Sequence, residues 1–174
     1  DLSRGSPDVE PGDADVRARY GLDRDPYAVY VGAGDWRKNV EGMLEGLARA
    51  RRRPGGHRVR LVWAGHLGRR WRQALDRGMR ARGRTGAVIT TDYIDDDVLA
   101  TLYRHARMSI FVSRAEGFGY PVVEAMAAGC PVITCGHTST GEVAGDAAIL
   151  VGPETHEAIA EAIVRLARDD AAHA

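Results

Sequence analysis

The stretch MSIFVSRAEGFGYPVVEAMAAGCPVIT, residues 108–134, decides the fold of this chain. It opens with an apolar run at 108–112, which predicts a buried strand, and passes through a turn into a helical segment at 121–128. Pro121 stands at a favoured first helical position, and the apolar run 132–134 predicts the next strand. A strand, a helix and another strand in this order predict two parallel strands joined by a helical crossover.

The same alternation extends in both directions from this stretch. Further strands are predicted at 27–32, 58–64, 87–91 and 148–151, and further helices at 39–52, 71–82, 95–106 and 156–168. This pattern predicts a doubly wound, Rossmann-like α/β domain, in which helices cover both faces of a parallel sheet. Residues 1–26 are polar and rich in Asp, Gly and Pro, so we expect a linker there with a short helix near 16–20, and a single domain over 27–174.

Composition excludes several classes of function. Lys plus Arg and Asp plus Glu both number 24, and the resulting zero net charge argues against a general nucleic-acid binder. No apolar run approaches the roughly 20 residues needed to span a bilayer, and no signal-peptide pattern opens the chain, so we expect a cytoplasmic protein.

Cys130 and Cys135 flank an apolar run and are expected to be core thiols, with a disulfide or a metal site as the alternatives.

Ligands of such a sheet bind beyond the carboxyl ends of the strands, which draws attention to the turn at 113–120. Glu116 ends the loop after a predicted strand, and Gly117 and Gly119 allow the backbone to approach a ligand without side-chain obstruction. The alternative is that these glycines only make a turn. The length of the surrounding pattern favours a binding site.

The helix after this turn supplies two further features. It begins at about Tyr120, so free backbone N–H groups and the positive end of the helix dipole face the crevice, where a diphosphate is a natural ligand. Glu124 lies about one turn into the helix and offers two carboxylate oxygens to a sugar diol. The sequence therefore predicts a site near these two carboxylates that suits a diphosphate and a sugar diol.

The segment EGFGYPVVEAMAAGCPV, residues 116–132, resembles the retaining glycosyltransferases of family 4, which have the GT-B fold. The family's signature is two glutamates separated by seven residues, matched here by Glu116 and Glu124. The similarity extends from YVG at 30–32 to the last helix, and includes YID at 93–95, LYRHA at 102–106 and EVAGDAA at 142–148.

The resemblance implies that the chain is the C-terminal, donor-binding half of a two-domain enzyme. The missing half would be an N-terminal acceptor-binding domain, so we expect no turnover from this chain alone. The implied reaction transfers a hexosyl-type sugar from a nucleoside-diphosphate sugar with retention of configuration, without a metal or other cofactor. The nucleotide sugar is thus the expected partner, and its sugar, base (UDP, GDP or ADP) and acceptor are left open.

The resemblance also assigns roles within the predicted site. It implies that Glu116 contacts the transferred sugar and that Glu124 holds the ribose. The backbone of Gly117, Phe118, Gly119 and Tyr120 would meet the phosphates and the sugar.

Two other segments carry family positions. Tyr93 and Ile94 match the stretch whose backbone usually meets the nucleobase. In the loop after Gly32, the family places an Arg directly after the glycine and a Lys five residues later, and both neutralise the diphosphate. Lys38 matches the lysine and is the only lysine of the chain, but Ala33 stands where the Arg would be. The resemblance then implies that stabilisation of the leaving group depends on Lys38, with help from Arg37.

Several weaker signals have two interpretations each. Asp95, Asp96 and Asp97 are expected to cap a helix rather than to bind a metal. His66 and the segment 138–142 could line the ligand site or be structural. The arginines of residues 49–60, with Arg69, Arg70 and Arg72, are expected to be solvated, and contact with an anionic membrane or a lipid-linked acceptor is the alternative.

Two other classes of protein are alternatives to an enzyme. A non-catalytic nucleotide-sugar-binding module derived from a glycosyltransferase is compatible with Ala33 and with the missing half. A receiver-type signalling domain would need an acidic cluster at the end of the first strand, and residues 30–34 contain none.

Overall fold

A computed structural model describes residues 12–69, 71–73, 75 and 86–169. Over these residues the chain forms one six-stranded sheet in which all neighbouring strands are parallel. The strands are β1 (Tyr27–Val31), β2 (Arg60–Ala64), β3 (Val88–Asp92), β4 (Met108–Phe111), β5 (Val132–Cys135) and β6 (Ala148–Val151). Their order is β3-β2-β1-β4-β5-β6, which reverses between β1 and β4. The predicted doubly wound, Rossmann-like architecture is confirmed, and its ligand crevice is expected between β1 and β4.

Helices connect these strands in two packed groups. They are α1 (Asp13–Arg19), α2 (Val40–Ala50), α3 (Asp96–His105), α4 (Tyr120–Ala127), α5 (Ser139–Ala144) and α6 (His156–Arg168), with short 3-10 turns at Trp36–Lys38 and Gly145–Ala147. Helix α2 packs against α6, whereas α3 packs against α1 and α4. Each long helix is amphipathic: α2, for example, buries Val40, Met43 and Leu47. This arrangement gives the sheet a helical layer on each face.

The sequence prediction missed one short helix, and the described residues cover a second predicted helix only in part. Helix α5 was not predicted, because six residues are too few to show a 3.6-residue hydrophobic period. For the helix predicted at 71–82, residues 71–73 and 75 are helical, and the rest of it lies outside the described residues.

Part of the stretch that we expected to be a linker packs on the domain. Helix α1 begins at Asp13, three residues before the predicted position, and contacts α3. Asp13 is buried and accepts hydrogen bonds from Thr101 (2.9 Å) and Arg104 (3.0 Å), while Leu22 joins the hydrophobic core. The unit that includes the sheet therefore begins by residue 13, and residues 1–11 lie outside the described ranges.

Aromatic side chains fill the core beneath the crevice. Tyr30 and Trp63 are fully buried and meet edge to face with ring centroids 4.9 Å apart, and Tyr30 lies parallel to Phe111 at 6.3 Å. Two polar groups of this cluster are directed at the loop after β1: the Tyr30 hydroxyl donates to the Ala33 carbonyl (3.0 Å), and the Trp63 indole donates to the Gly32 carbonyl (2.9 Å). The core thus fixes the start of the loop after β1.

Candidate functional site

The loops after β1 and β4 bring two charged side chains together at the reversal of strand order. Lys38 Nζ lies 2.5 Å from Glu116 Oε2, and both side chains are largely shielded, with 23% and 17% exposure. The ammonium group also lies over the Phe111 ring, 4.9 Å from its centroid. Residues separated by 78 positions therefore form one ion pair in the crevice. The pair therefore places a cation and a carboxylate at the switch point, where ligands of such sheets bind.

The loop after β1 depends on the conformational freedom of Gly32. Its φ is +149°, and a Cβ atom there would lie 2.9 Å from the Tyr30 hydroxyl. Any side chain at this position would displace the buried tyrosine that supports the loop. Ala33, the residue that replaces the family's arginine, is exposed on this loop.

The Arg37 side chain forms an ion pair with the nearby Asp35. The Asp35 carboxylate accepts from the Arg37 backbone N–H (2.8 Å) and from its guanidinium (2.9 Å). These hydrogen bonds lower the pKa of Asp35 to about 2, so the pair is ionised at neutral pH. With Ala33 uncharged, Lys38 is the cation of this loop that meets Glu116.

The two glycines of the turn after β4 differ in the space around them. Gly117 is exposed, and nothing lies within 4 Å of where its Cβ would be. Gly119 precedes α4 with φ +91°, and a Cβ there would lie 2.5 Å from Thr140 Cγ2. Phe118 and Tyr120 flank it with exposed rings whose centroids are 4.9 Å apart. The start of α4 is therefore accessible from the Gly117 side and packed against α5 on the other.

Glu124 lies in a groove whose described lining residues do not include Glu116. It is exposed on α4 and lines a groove between α3 and α4 together with Asp96, Leu99 and Tyr103. Tyr93 and Ile94 precede α3; Tyr93 is exposed, while Ile94 packs against the core. The structure thus unites Lys38 with Glu116, and it places Glu124 on the neighbouring groove.

One contact at the site was not predicted from the sequence. Ser139 Oγ donates to the backbone carbonyl of Glu116 (3.0 Å) and so ties α5 to the turn. Thr140 is buried and bonds Thr134 (2.9 Å) and Thr138 (2.6 Å). The hydroxyl groups of residues 138–140 thus make contacts within the domain, although Thr138 makes no capping hydrogen bond, and a role in lining the ligand site stays a prediction.

The remaining polar candidates have structural or exposed positions. His66 and Glu142 are exposed. Asp95 occupies the predicted N-cap position of α3, but its side chain makes no capping hydrogen bond; Asp96 and Asp97 lie in the first turn. Within the described ranges, no group of three or more His, Cys, Asp or Glu side chains could hold a metal ion.

Both cysteines are core residues. Cys130 and Cys135 are buried free thiols, and burial raises the pKa of each to about 12. The prediction of core thiols is confirmed.

The arginine-rich stretch makes contacts within the domain. Guanidinium groups donate from Arg49 to Glu45, from Arg53 to Glu157, from Arg58 to Asp25, from Arg60 to Gly21 and Gly86, and from Arg72 to Asp92. Arg69 is exposed, and Arg70 lies outside the described residues. None of the helices in the described ranges combines the length and hydrophobicity needed to cross a bilayer. Contact of these arginines with a membrane in the complete protein stays a prediction.

The fold and the crevice define a Rossmann-like domain with a ligand site at its topological switch point. The chain belongs to a known family: the family model described as glycosyl transferases group 1 matches residues 25–169. Solved structures of similar fold include sucrose-phosphate synthase from Thermosynechococcus elongatus (28% identity, TM-score 0.75, covering 92% of this chain and 41% of that one). A second is Anabaena HepE in complex with UDP-glucose (19% identity, TM-score 0.80, covering 95% and 45%).

Two sequence relatives have named activities. The chain is 35% identical over 162 residues to O-antigen chain mannosyltransferase B of Escherichia coli, covering 89% of this chain and 40% of that protein. It is 29% identical over 164 residues to alpha-D-kanosaminyltransferase of Streptomyces kanamyceticus, covering 93% and 42%. The chain therefore spans about two fifths of the length of these relatives.

Proposed function

We propose that this chain is the donor-binding domain of a retaining, metal-independent glycosyltransferase of family 4. It would bind a nucleoside-diphosphate sugar and transfer a hexosyl group once combined with an N-terminal acceptor-binding domain. Two relatives are named for the transfer of mannosyl and kanosaminyl groups, both of hexosyl type. The observation that carries the proposal is the Lys38–Glu116 pair at the reversal of strand order.

The pair suggests how a donor would enter. In the free protein each side chain satisfies the other, which avoids an uncompensated charge in a shielded place. A bound donor would separate them, because its diphosphate would take Lys38 and a sugar hydroxyl would take Glu116. Each of the two side chains would then keep a charged or polar partner in the bound state.

The chemical step would use the same two groups. Negative charge grows on the departing diphosphate as the sugar becomes oxocarbenium-like, and a fixed cation at the diphosphate lowers that barrier. Lys38 would supply this cation, and Glu116 would orient the sugar and stabilise its positive charge. We assign Glu116 no nucleophilic role, since same-face attack assisted by the leaving phosphate accounts for retention.

The remaining predicted contacts complete the proposed donor site. The backbone of Gly117, Phe118, Gly119 and Tyr120 would line the phosphates and the sugar, and Gly32 would form the opposite side. Glu124 would hold the ribose in the groove between α3 and α4, with Tyr93 and Ile94 at the base. A cytoplasmic location is part of this proposal.

Calorimetric titration of the chain with UDP, GDP and ADP, and then with the corresponding nucleotide sugars, tests the proposal. We expect one nucleoside diphosphate to bind in preference to the other two, and its sugar conjugate to bind at the same site. Transfer activity is expected only when the acceptor-binding domain is present. Absence of binding by all three nucleotides, or robust transfer by this chain alone, would contradict the proposal.

A second candidate is a non-catalytic nucleotide-sugar-binding module. Ala33 in place of the family's arginine favours it, as does the pairing of Arg37 with Asp35, because both reduce the positive charge available to a leaving group. Activity of the complete protein with a panel of nucleotide sugars separates the two functions. Donor binding without transfer or donor hydrolysis would identify the module.

A further inference from the structure

A third loop, for which the sequence predicted no role, is connected to the Lys38–Glu116 pair. It is the turn at 152–155 between β6 and α6, and it carries Glu154. The Glu154 carboxylate accepts from Arg114 Nε at 2.6 Å and from Nη2 at 3.4 Å, so both of its oxygens face one guanidinium. Hydrogen bonding to Arg114 also holds the pKa of Glu154 below its usual value, and the pair is ionised at neutral pH.

Arg114 extends this connection to the residues just before Lys38. Its third nitrogen, Nη1, donates to the backbone carbonyl of Trp36 (3.2 Å), and its backbone N–H donates to the carbonyl of Arg37 (2.7 Å). The 3-10 turn that ends at Lys38 is thus attached to the loop after β4 at two consecutive carbonyls. Glu154 fixes the guanidinium that makes the first of these attachments.

The residue after Lys38 is attached to the same two loops. Asn39 is fully buried with φ +51°, and its Nδ2 donates to the carbonyls of Val112 (3.1 Å) and Pro153 (2.7 Å). Pro153 precedes Glu154 directly, so the β6–α6 turn holds the lysine loop from both sides. A backbone fixed at the residues on either side of Lys38 restricts where its ammonium group can reach.

We propose that Glu154 and Arg114 are positioning residues that hold Lys38 at the place where a donor diphosphate binds. This inference rests on the proposed function of the crevice. The described hydrogen bonds of Glu154 are with Arg114, so we assign it to holding the loop and not to the ligand. Without the carboxylate, the guanidinium is free to turn to solvent, and the Trp36 carbonyl loses its anchor.

The test is the affinity of Glu154→Gln for whichever of UDP, GDP and ADP the unmodified chain binds most tightly, measured by calorimetry. We expect binding to weaken about threefold, the size of effect typical of one exposed ion pair. Asp25→Asn is the matched control. It breaks an exposed pair with Arg58 (2.6 Å) at the opposite end of the sheet and should leave the affinity unchanged. Thermal melting should be the same for both variants.

A double-mutant cycle distinguishes positioning from a general structural effect. In a Lys38→Ala background, Glu154→Gln should have no further effect on affinity, whereas Glu154→Asp in the unmodified background should restore part of the loss. The proposal is overturned if Glu154→Gln binds as tightly as the unmodified chain, binds more tightly, or loses the same factor in both backgrounds. If the unmodified chain binds none of the three nucleotides, the proposed function fails and this inference fails with it. If the unmodified chain binds a nucleotide and Glu154→Gln binds it with the same affinity, only this inference fails.

Discussion

The two ends of the sheet are built differently. At the carboxyl end, loops leave large side chains uncovered: the exposed aromatic residues of the described ranges are Trp36, Tyr93, Phe118 and Tyr120, and each follows a strand that ends there. At the amino end, polar side chains form hydrogen bonds within the domain. Asp13 is buried beneath α3, and Arg60 donates to the carbonyls of Gly21 and Gly86.

The charged groups at the two ends of the sheet also have different surroundings. The Lys38–Glu116 pair joins two side chains whose partners a ligand can replace, whereas the Asp13 carboxylate is surrounded by donors from one helix of the same domain. If the proposed function is correct, residues that stabilise the fold and residues that bind the ligand lie at opposite ends of the sheet. Variants at the two ends should therefore separate the two properties, and the following predictions are ordered by the size of the effect expected.

The largest effect is expected for Glu116→Gln in the proposed two-domain enzyme. Turnover should fall by about a hundredfold or more, because a preorganised charge beside the developing oxocarbenium ion is lost. Affinity for the nucleoside diphosphate alone should stay the same or increase, since Lys38 no longer has to leave an acidic partner. Steady-state kinetics and calorimetry measure the two quantities, with Asp25→Asn as the control. Equal losses in turnover and nucleotide affinity would refute the assignment of Glu116 to the sugar.

Asp13→Asn should affect stability and not binding. Burial by itself would raise the pKa of Asp13, but hydrogen bonds from His105, Arg104 and Thr101 outweigh it and lower the pKa from 3.8 to about 2. The ionised group therefore stabilises the fold above pH 3.8, and this contribution is lost as the pH falls through about 2. A shift of this size corresponds to roughly 2 kcal/mol of unfolding free energy at neutral pH.

Urea unfolding of Asp13→Asn and of the unmodified chain at a series of pH values measures this contribution. The difference between the two proteins should be largest near neutral pH and should shrink as the pH approaches 2. A difference that is independent of pH would mean that the carboxylate charge is not responsible. Loss of nucleotide affinity in Asp13→Asn would contradict the separation of the two ends.

Lys38→Ala should weaken nucleoside-diphosphate binding about tenfold, as expected for one charge-assisted hydrogen bond in a shielded place. Arg37→Ala is the matched comparison on the same loop. Its guanidinium already pairs with Asp35 and is 56% exposed, so the loss of affinity should be smaller. Calorimetry on both variants decides the point, and a larger loss for Arg37→Ala would reverse the roles assigned to the two cations.

The smallest effect is expected for Ala33→Arg, which restores the family's arginine at an exposed position of the loop. A second cation beside the diphosphate should tighten binding about threefold at low ionic strength, and added salt should remove the gain. Titrations at two salt concentrations measure it. Unchanged affinity at low salt would show that the Ala33 side chain does not face the phosphates.

Much of the fold was predictable because its signals are local. Strand and helix positions agreed closely with the hydrophobic periods of the sequence, and α4 begins at Tyr120 next to the predicted Pro121. Helix α5 was missed because it is short, and the first residues of α1 were missed because Asp13 resembles a residue of a polar linker until its buried partners on α3 are known. The turn at Glu116 was also recognisable, since its glycines and proline have local conformational roles.

Which side chains meet within the site could not be predicted from local sequence patterns. Glu124 lies in the predicted helix, yet its groove is shared with α3, which is formed by a separate stretch of sequence. The same holds for Ser139, whose hydroxyl reaches the Glu116 carbonyl from α5. No local pattern in the sequence indicates either neighbour.

The sequence by itself determined the alternation of strands and helices and the turn that carries Glu116, because periodicity, glycine and proline act over a few residues. The tertiary structure decided which charges meet. Lys38 and Glu116 are 78 positions apart, and Arg114 and Glu154 are 40 apart. Each pair forms only because parallel strands deliver distant loops to one edge of the sheet, and the order of those strands is set by packing of the whole domain.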